Sequence, residues 1–266
     1  MWKEIDLIWL GSLSCVFISS FFLLIALVKV IFQPRNRKWR RKFRQYFLVT
    51  ALFTSFLITE YWPKKISTVE METPVSIPKY EGKHVVEMNA NIPYFSKADL
   101  RQKAFEIYQP LDSLGRARMA YALLGVHTLP KKKRESIGMV KPSGWQMAKY
   151  DFIDGKYLYH RCHLIAYELS GQNANPLNLI TGTRQLNVEE MLPYENQVVR
   201  YIRKTGNHVL YRVRPLYEAN ELVARGVLME ARSIEDGGKG IHFCVFCFNV
   251  QKGIWIDYQT GKNRLN

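Results

Sequence analysis

Between Leu7 and Val28 the chain carries no charged side chain (LIWLGSLSCVFISSFFLLIALV). At about 1.5 Å of rise per residue, a helix of that length crosses a hydrocarbon core of roughly 30 Å. A cleavable signal peptide would have a shorter apolar core and a small-x-small cleavage site. Here a basic block follows instead, residues 33–44, with seven basic residues and no acidic one. A second apolar run, Tyr46 to Trp62, has aromatic residues at both edges, where they serve as interface anchors. The pattern predicts a membrane anchor over residues 1–62. Two transmembrane helices, at about 7–32 and 46–62, would flank a basic loop 33–45 held in the cytoplasm by the positive-inside rule. Everything after residue 63 would then face the extracellular side of the cell membrane. One span plus an interfacial helix, or a cleaved signal, are the alternatives.

The charge balance divides at the same boundary. Of 38 Lys and Arg and 23 Asp and Glu, residues 1–63 hold nine and three, so the rest of the chain remains basic in its own right. Such an excess suits a polyanionic partner such as nucleic acid, although a well-solvated surface would read the same way. With 47% hydrophobic and 13% aromatic residues the chain is not a disordered one, and four cysteines in 266 residues do not make a disulfide-stapled miniprotein.

Residues 63–83 contain three prolines and little periodicity, as expected of an extended linker, which leaves 84–266 as one domain. His84–Met88 reads as a short strand, Ala98–Tyr108 has helical spacing, and Asp112–Leu124 mixes a turn with a second helical stretch. Apolar residues between Val188 and Lys204 recur at helical spacing. The runs His208–Tyr217, Leu222–Ile234, Gly240–Val250 and Gly253–Tyr258 are β-rich and separated by turn residues. The prediction is an α+β fold, a mostly antiparallel central sheet with flanking helices.

The chemistry concentrates between Tyr157 and Glu195. A β-like run ends at His160-Arg161-Cys162-His163, an Asn-rich turn leads to Asn178 and a second β-like piece, and a helix begins near Asn187 and carries Glu195. Strand, strand and helix with a histidine on the first and an asparagine on the third can surround one divalent cation. Histidine is the usual group for taking a proton from water near neutrality. Asparagine offers a neutral oxygen suited to a hard cation that keeps most of its waters. Asn187 and Glu195 lie about two helical turns apart, so they share a face, although Pro193 between them would kink or restart the helix. From spacing alone the same residues also read as ordinary turn chemistry.

A resemblance separates the two readings. Arg161-Cys162-His163-Leu164-Ile165, then Asn173-Ala174-Asn175-Pro176-Leu177-Asn178-Leu179-Ile180-Thr181-Gly182-Thr183, then Asn187 resemble DNA/RNA non-specific endonucleases of the ββα-metal type, and in particular the membrane-anchored DNA-entry nucleases of Gram-positive bacteria. The likeness extends upstream through Pro110–Arg116 and Lys141–Trp145, and downstream through Gly206–Val213, Asn249–Gln251 and Asp257-Tyr258. It implies a ββα-metal active-site motif in which His163 is the general base and Asn187 the direct ligand of Mg2+, with Mn2+ as a substitute. It implies that Glu195 orients the cation's waters, that Asn178 supports the site, and that Arg161 is the arginine of the motif. The sequence departs from the broader pattern at two places: His160 replaces a carboxylate and Cys162 a glycine.

Phosphate contacts are expected from the cluster Lys131, Lys132, Lys133 and Arg134, then from Arg116 and Arg184, with Arg200 and Arg203 reading equally as a solvated helix face. Cys162 beside His163 does not make a nucleophile couple, because neighbours on a strand point to opposite faces. Cys244-x-x-Cys247 lies within an alternating strand and has no second pair, so buried strand cysteines are the better reading than zinc. The expected activity is a Mg2+-dependent hydrolysis of phosphodiester bonds in DNA and RNA with little sequence preference, leaving 5′-phosphate ends. Its partners would be nucleic acid, the lipid bilayer and a DNA-uptake machinery. A nucleic-acid-binding membrane protein without catalysis and a secreted nuclease toxin are the alternatives.

Overall fold

The computed structural model describes residues 18, 20–33, 35–61, 75–97, 99–101 and 104–266. They fall into two compact units, the first ending at Val75 and the second running from Ser76 to Asn266.

In the first unit, residues 20–32 form helix α1, and α2 spans Arg37–Tyr61. Asn36 starts α2 by accepting the Lys38 backbone N–H on its side-chain oxygen at 3.1 Å. The rings of Phe22 and Tyr46 stack with centroids 5.7 Å apart, so the two helices pair as a hairpin. The basic block, expected as a loop over 33–45, is instead helical from Arg37 onward. Lysine and arginine are good helix formers. Among the described residues no helix is long and apolar enough to cross a membrane. α2 misses because its first turns come from that basic block. Most of the first apolar run, residues 7–17 and 19, lies outside the described residues.

The second unit is built on β1 (Val85–Glu87), β2 (Glu106–Tyr108), β3 (Ala120–Leu124), β4 (Tyr159–His163), β5 (Leu179–Thr183), β6 (Val209–Leu216), β7 (Gly226–Ser233), β8 (His242–Phe248), β9 (Ile254–Ile256) and β10 (Asn263–Leu265). Its helices are α3 (Tyr167–Ser170) and α4 (Leu192–Thr205). Six strands make one antiparallel sheet in the order β1-β8-β7-β6-β3-β2, while β4 with β5 and β9 with β10 form separate antiparallel pairs. This is the predicted α+β architecture. Two segments read as helical are not: 98–108 contains a short 3-10 turn and β2, and 112–124 a turn and β3. β3, Ala-Tyr-Ala-Leu-Leu, is rich in helix formers, but all five residues are buried within the sheet, where packing outweighs intrinsic preference.

Alternate residues define the sheet's two faces. Ala120, Ala122, Leu124, Val209, Tyr211, Val213, Val227, Met229, Ala231, Phe243, Val245 and Cys247 share one core with Cys162, Ile180, Leu186, Met191, Val198 and Ile202. That core seats β4, β5 and α4 against the sheet. On the opposite face Arg212 binds Glu230 through two 2.8 Å hydrogen bonds, both side chains being fully buried. The segment around Tyr94 closes over this pair, with the Tyr94 N–H on Glu230 Oε1 at 2.8 Å and the Tyr94 carbonyl on Arg212 Nη2 at 3.1 Å.

Candidate active site

β4 and β5 lie antiparallel with His163 opposite Leu179 and His160 opposite Gly182. A Cβ on Gly182 would meet Cys162 Cβ at 2.7 Å, so only glycine lets the two strands approach here. The end of β4 is fixed by Asn178, which is fully buried. Its Oδ1 accepts the Ile165 N–H and its Nδ2 donates to the Ile165 carbonyl, each at 2.9 Å. Asn178 therefore acts on the backbone two residues beyond His163, and both ends of its amide are occupied in doing so.

His163 is buried, and its Nε2 lies 2.8 Å from the carbonyl oxygen of Asn173. A carbonyl only accepts, so Nε2 carries the proton and Nδ1 keeps the lone pair. Burial lowers the pKa of the ring, and the charge of Arg134 lowers it further, against the Asn173 carbonyl, which raises it. The neutral ring required of a base is thus the favoured form.

Glu195 sits in the first turn of α4 and is buried. Burial pushes its carboxyl up to about 8, with Arg134 opposing. Among the described residues nothing donates a hydrogen bond to it. A π-helical turn, Leu186–Met191, runs directly into α4 with helical backbone at Met191 and Leu192, so Pro193, expected to kink or restart the helix, stands just after a widened turn and the helix is not broken there. The wider turn removes the simple count of eight residues between Asn187 and Glu195. Asn187 lies half-buried within that π turn, and its Nδ2 faces His160 Nδ1 at 3.3 Å. Burial lowers the pKa of His160, as do the charges of Arg184 and Arg134.

Of the basic cluster, the exposed Arg134 is the one whose charge bears on His160, His163 and Glu195 together. Lys132 lines a separate surface cavity of about 530 Å3 with Lys131, His127 and Tyr167, and Lys133 is exposed. Two other candidate cations make ion pairs of their own, and Arg184 does so beside His160. Arg184 pairs with Asp154 and with Glu189. Arg116 binds Asp112 and the carbonyls of Ala219 and Glu221, and its guanidinium lies over the Tyr217 ring. Both guanidiniums, expected as phosphate contacts, are thus paired, those of Arg184 with exposed carboxylates. Arg161, expected among the catalytic groups, is engaged by the neighbouring loop. It donates to the carbonyls of Val140 and Gly138 and stacks 4.1 Å over Trp145, which holds the loop 138–145 on β4.

Cys162 is fully buried behind the site against Met191 Sδ, at 3.5 Å, and burial pushes its thiol well up, which excludes a nucleophile. Cys244 and Cys247 are free and buried, as read from their strand.

Two contributors escaped the sequence. Asn173 acts through its backbone carbonyl, which has no side-chain signature. His160 stood out only as a departure, whereas it is the neighbour of Asn187.

Among the described residues no three His, Cys, Asp or Glu side chains gather as a ligand set. What they offer is an asparagine oxygen and a buried carboxyl lacking any donor. A carboxyl raised to about 8 ionises near neutrality only with a cation beside it, so these groups fit a hard cation that brings its own waters.

Residues 96–235 match a family described as DNA/RNA non-specific endonuclease. A deoxyribonuclease from Streptococcus dysgalactiae subsp. equisimilis is 36% identical over 110 residues, 40% of this chain and 32% of that protein. The chain therefore spans about a third of that relative's length. Among solved structures, NucA from Streptococcus agalactiae with a magnesium ion bound superposes with a TM-score of 0.60 at 28% identity, over 68% of this chain and 88% of that one. The Sda1 nuclease with a bound zinc ion gives a TM-score of 0.52 at 29% identity, over 61% and 81%.

Proposed function

The chain belongs to the DNA/RNA non-specific endonuclease family, and from that premise we propose that it is a membrane-anchored, Mg2+-dependent endonuclease that hydrolyses DNA and RNA with little sequence preference. His163 acts as the general base, its Nε2 held by the Asn173 carbonyl while Nδ1 takes the proton of the attacking water. Asn187 would hold Mg2+, or Mn2+ in its place, through Oδ1, and Glu195 supplies the buried negative charge. Bound there, the cation would neutralise the scissile phosphate and the departing 3′ oxygen, leaving a 5′-phosphate end. Arg134 holds the phosphate, Lys132 and Lys133 extend the contact along the strand, and Asn178 and Arg161 hold the base and the loop in place. Phosphate contacts carry no sequence information, which suits cutting without preference.

One observation carries this reading: a buried histidine with one nitrogen pinned and a buried carboxyl without a donor lie under the charge of the same arginine. The test is plasmid degradation by the full chain in detergent, with Mg2+, with EDTA, and with His163→Ala. Cutting that needs Mg2+ and falls by about 100-fold or more in the variant is the expected result. Cutting that survives the substitution refutes His163 as base, and no cutting by the folded wild type refutes the enzyme.

The anchor is proposed to be the N-terminal unit, both apolar runs lying in the bilayer and the nuclease domain facing outward, where it would serve DNA processing during uptake. Its support is the exposure of Phe21, Leu24, Phe32 and Leu52 on the hairpin, which water would penalise and lipid would not. The apolar part of α2 is about 24 Å long at 1.5 Å per residue, so it needs a locally thinned bilayer or its Thr- and Tyr-bearing ends at the interface. Protease accessibility of residues 64–266 in intact cells decides the orientation.

A further inference from the structure

We infer that His160 is a positioning residue for Asn187: its Nδ1 accepts from Asn187 Nδ2 and thereby turns Asn187 Oδ1 toward the cation. The inference rests on Asn187 as the cation's ligand. An asparagine amide has two ends of nearly equal shape and opposite polarity. A cation is held by the oxygen end and repelled by the N–H hydrogens, so an amide free to flip would spend part of its time in the wrong orientation. Here the end that faces the ring is Nδ2, at 3.3 Å from His160 Nδ1. A neutral imidazole with its proton on Nε2 has one acceptor, Nδ1, and offers it to the amide N–H. The ring is carried on β4, whose backbone is fixed in register with His160 opposite Gly182. The partners are 27 residues apart in sequence and meet only when the π turn packs on β4. A ligand's outer partner of this kind fixes its orientation, and its loss commonly weakens metal affinity roughly 10- to 100-fold.

The chemistry at position 160 sets a ranking. Glutamine keeps a neutral acceptor, aspartate keeps an acceptor and adds a negative charge, and leucine fills the space with neither. The measurement is Mn2+ binding by the full chain in an uncharged detergent, read from the electron paramagnetic resonance signal of the free ion, with no nucleic acid present. His160→Leu should raise the Kd roughly 10- to 100-fold. His160→Gln should restore it to near the wild-type value, and His160→Asp should bind more tightly than wild type. That rescue separates orientation of the ligand from loss of fold, and circular dichroism melts of each variant check the fold directly. Asn187→Ala is the control for the reading beneath. If Asn187→Ala abolishes binding while His160→Leu binds as wild type does, the inference is overturned and the metal reading stands. If Asn187→Ala binds as wild type does, the metal reading falls and the inference with it.

Discussion

Replacing Glu195 by glutamine keeps the shape of the side chain and removes its ability to ionise. The structure turns this into a prediction about stability, with a sign that differs from that of most carboxylates. Burial raises the Glu195 carboxyl from its usual 4.5 to about 8. At roughly 1.4 kcal/mol per pH unit, that rise corresponds to about 5 kcal/mol between the neutral and charged forms. The folded state holds this proton more tightly than the unfolded chain does. The contribution is therefore fully present below pH 4.5, declines as the pH climbs, and is gone above about pH 8. Glutamine resembles the protonated acid and has no such slope. In EDTA the two proteins should melt together at pH 5, and at pH 9 the variant should be the more stable by about 3 to 5 kcal/mol. For a domain of this size that is about 10 °C or more in Tm. Melts of both full chains in the same detergent measure it, other titrating groups being common to both. Mg2+ added at pH 9 should stabilise the wild type more than the variant and so narrow the gap between them. Parallel curves from pH 5 to 9 would refute the argument, since they would mean that the carboxylate finds a partner or water in the folded state.

Three further outcomes follow from the geometry. Asn178→Ala leaves the buried N–H and C=O of Ile165 without partners, and a denaturant titration should show a loss of about 2 to 4 kcal/mol. Arg134→Ala should lower the slope of log affinity for DNA against log salt by about 1, measured by anisotropy in EDTA, while Arg116→Ala leaves the slope unchanged because its guanidinium is bound within the fold. Cleavage should be lost on the acid side as His163 protonates, and because burial depresses its pKa the midpoint of that limb should fall below 6.5. A midpoint at or above 6.5 contradicts the buried, neutral base.

The sheet was legible where strands alternate. β6, β7 and β8 place every second residue in the core and announce themselves in sequence. β3 does not, because its Ala and Leu content imitates a helix, although it is buried as those strands are. The candidate residues stand in order in the sequence, His163, Asn178, Asn187 and Glu195, but the contacts that each makes do not show there. Asn178 and Arg161 turn their polar atoms onto backbone carbonyls and amides, and no local pattern tells such a tie from a catalytic group. Arg116 and Arg184 illustrate the same limit for charge. The acids that occupy Arg184 are 30 and 5 residues away, and nothing in composition reveals whether a cation is already spoken for.

The order of the sheet bears on when this protein becomes itself during synthesis. β1 pairs only with β8, β3 joins the rest through β6, and the Tyr94 segment closes on Glu230, 136 residues later. β4 and β5 pair with each other early, but the wall they lean on comes from Val209 onward. A nascent chain stopped short of β8 has a free β1 edge and an uncovered base for its histidine, and loops of this span close slowly. Completion of the sheet therefore waits for β8 to emerge, and with it the full core on which β4 and β5 pack. A ribosome still holding β8 carries a chain whose sheet is unfinished, so the topology itself sets a delay between translation of the candidate site and the packing that completes it.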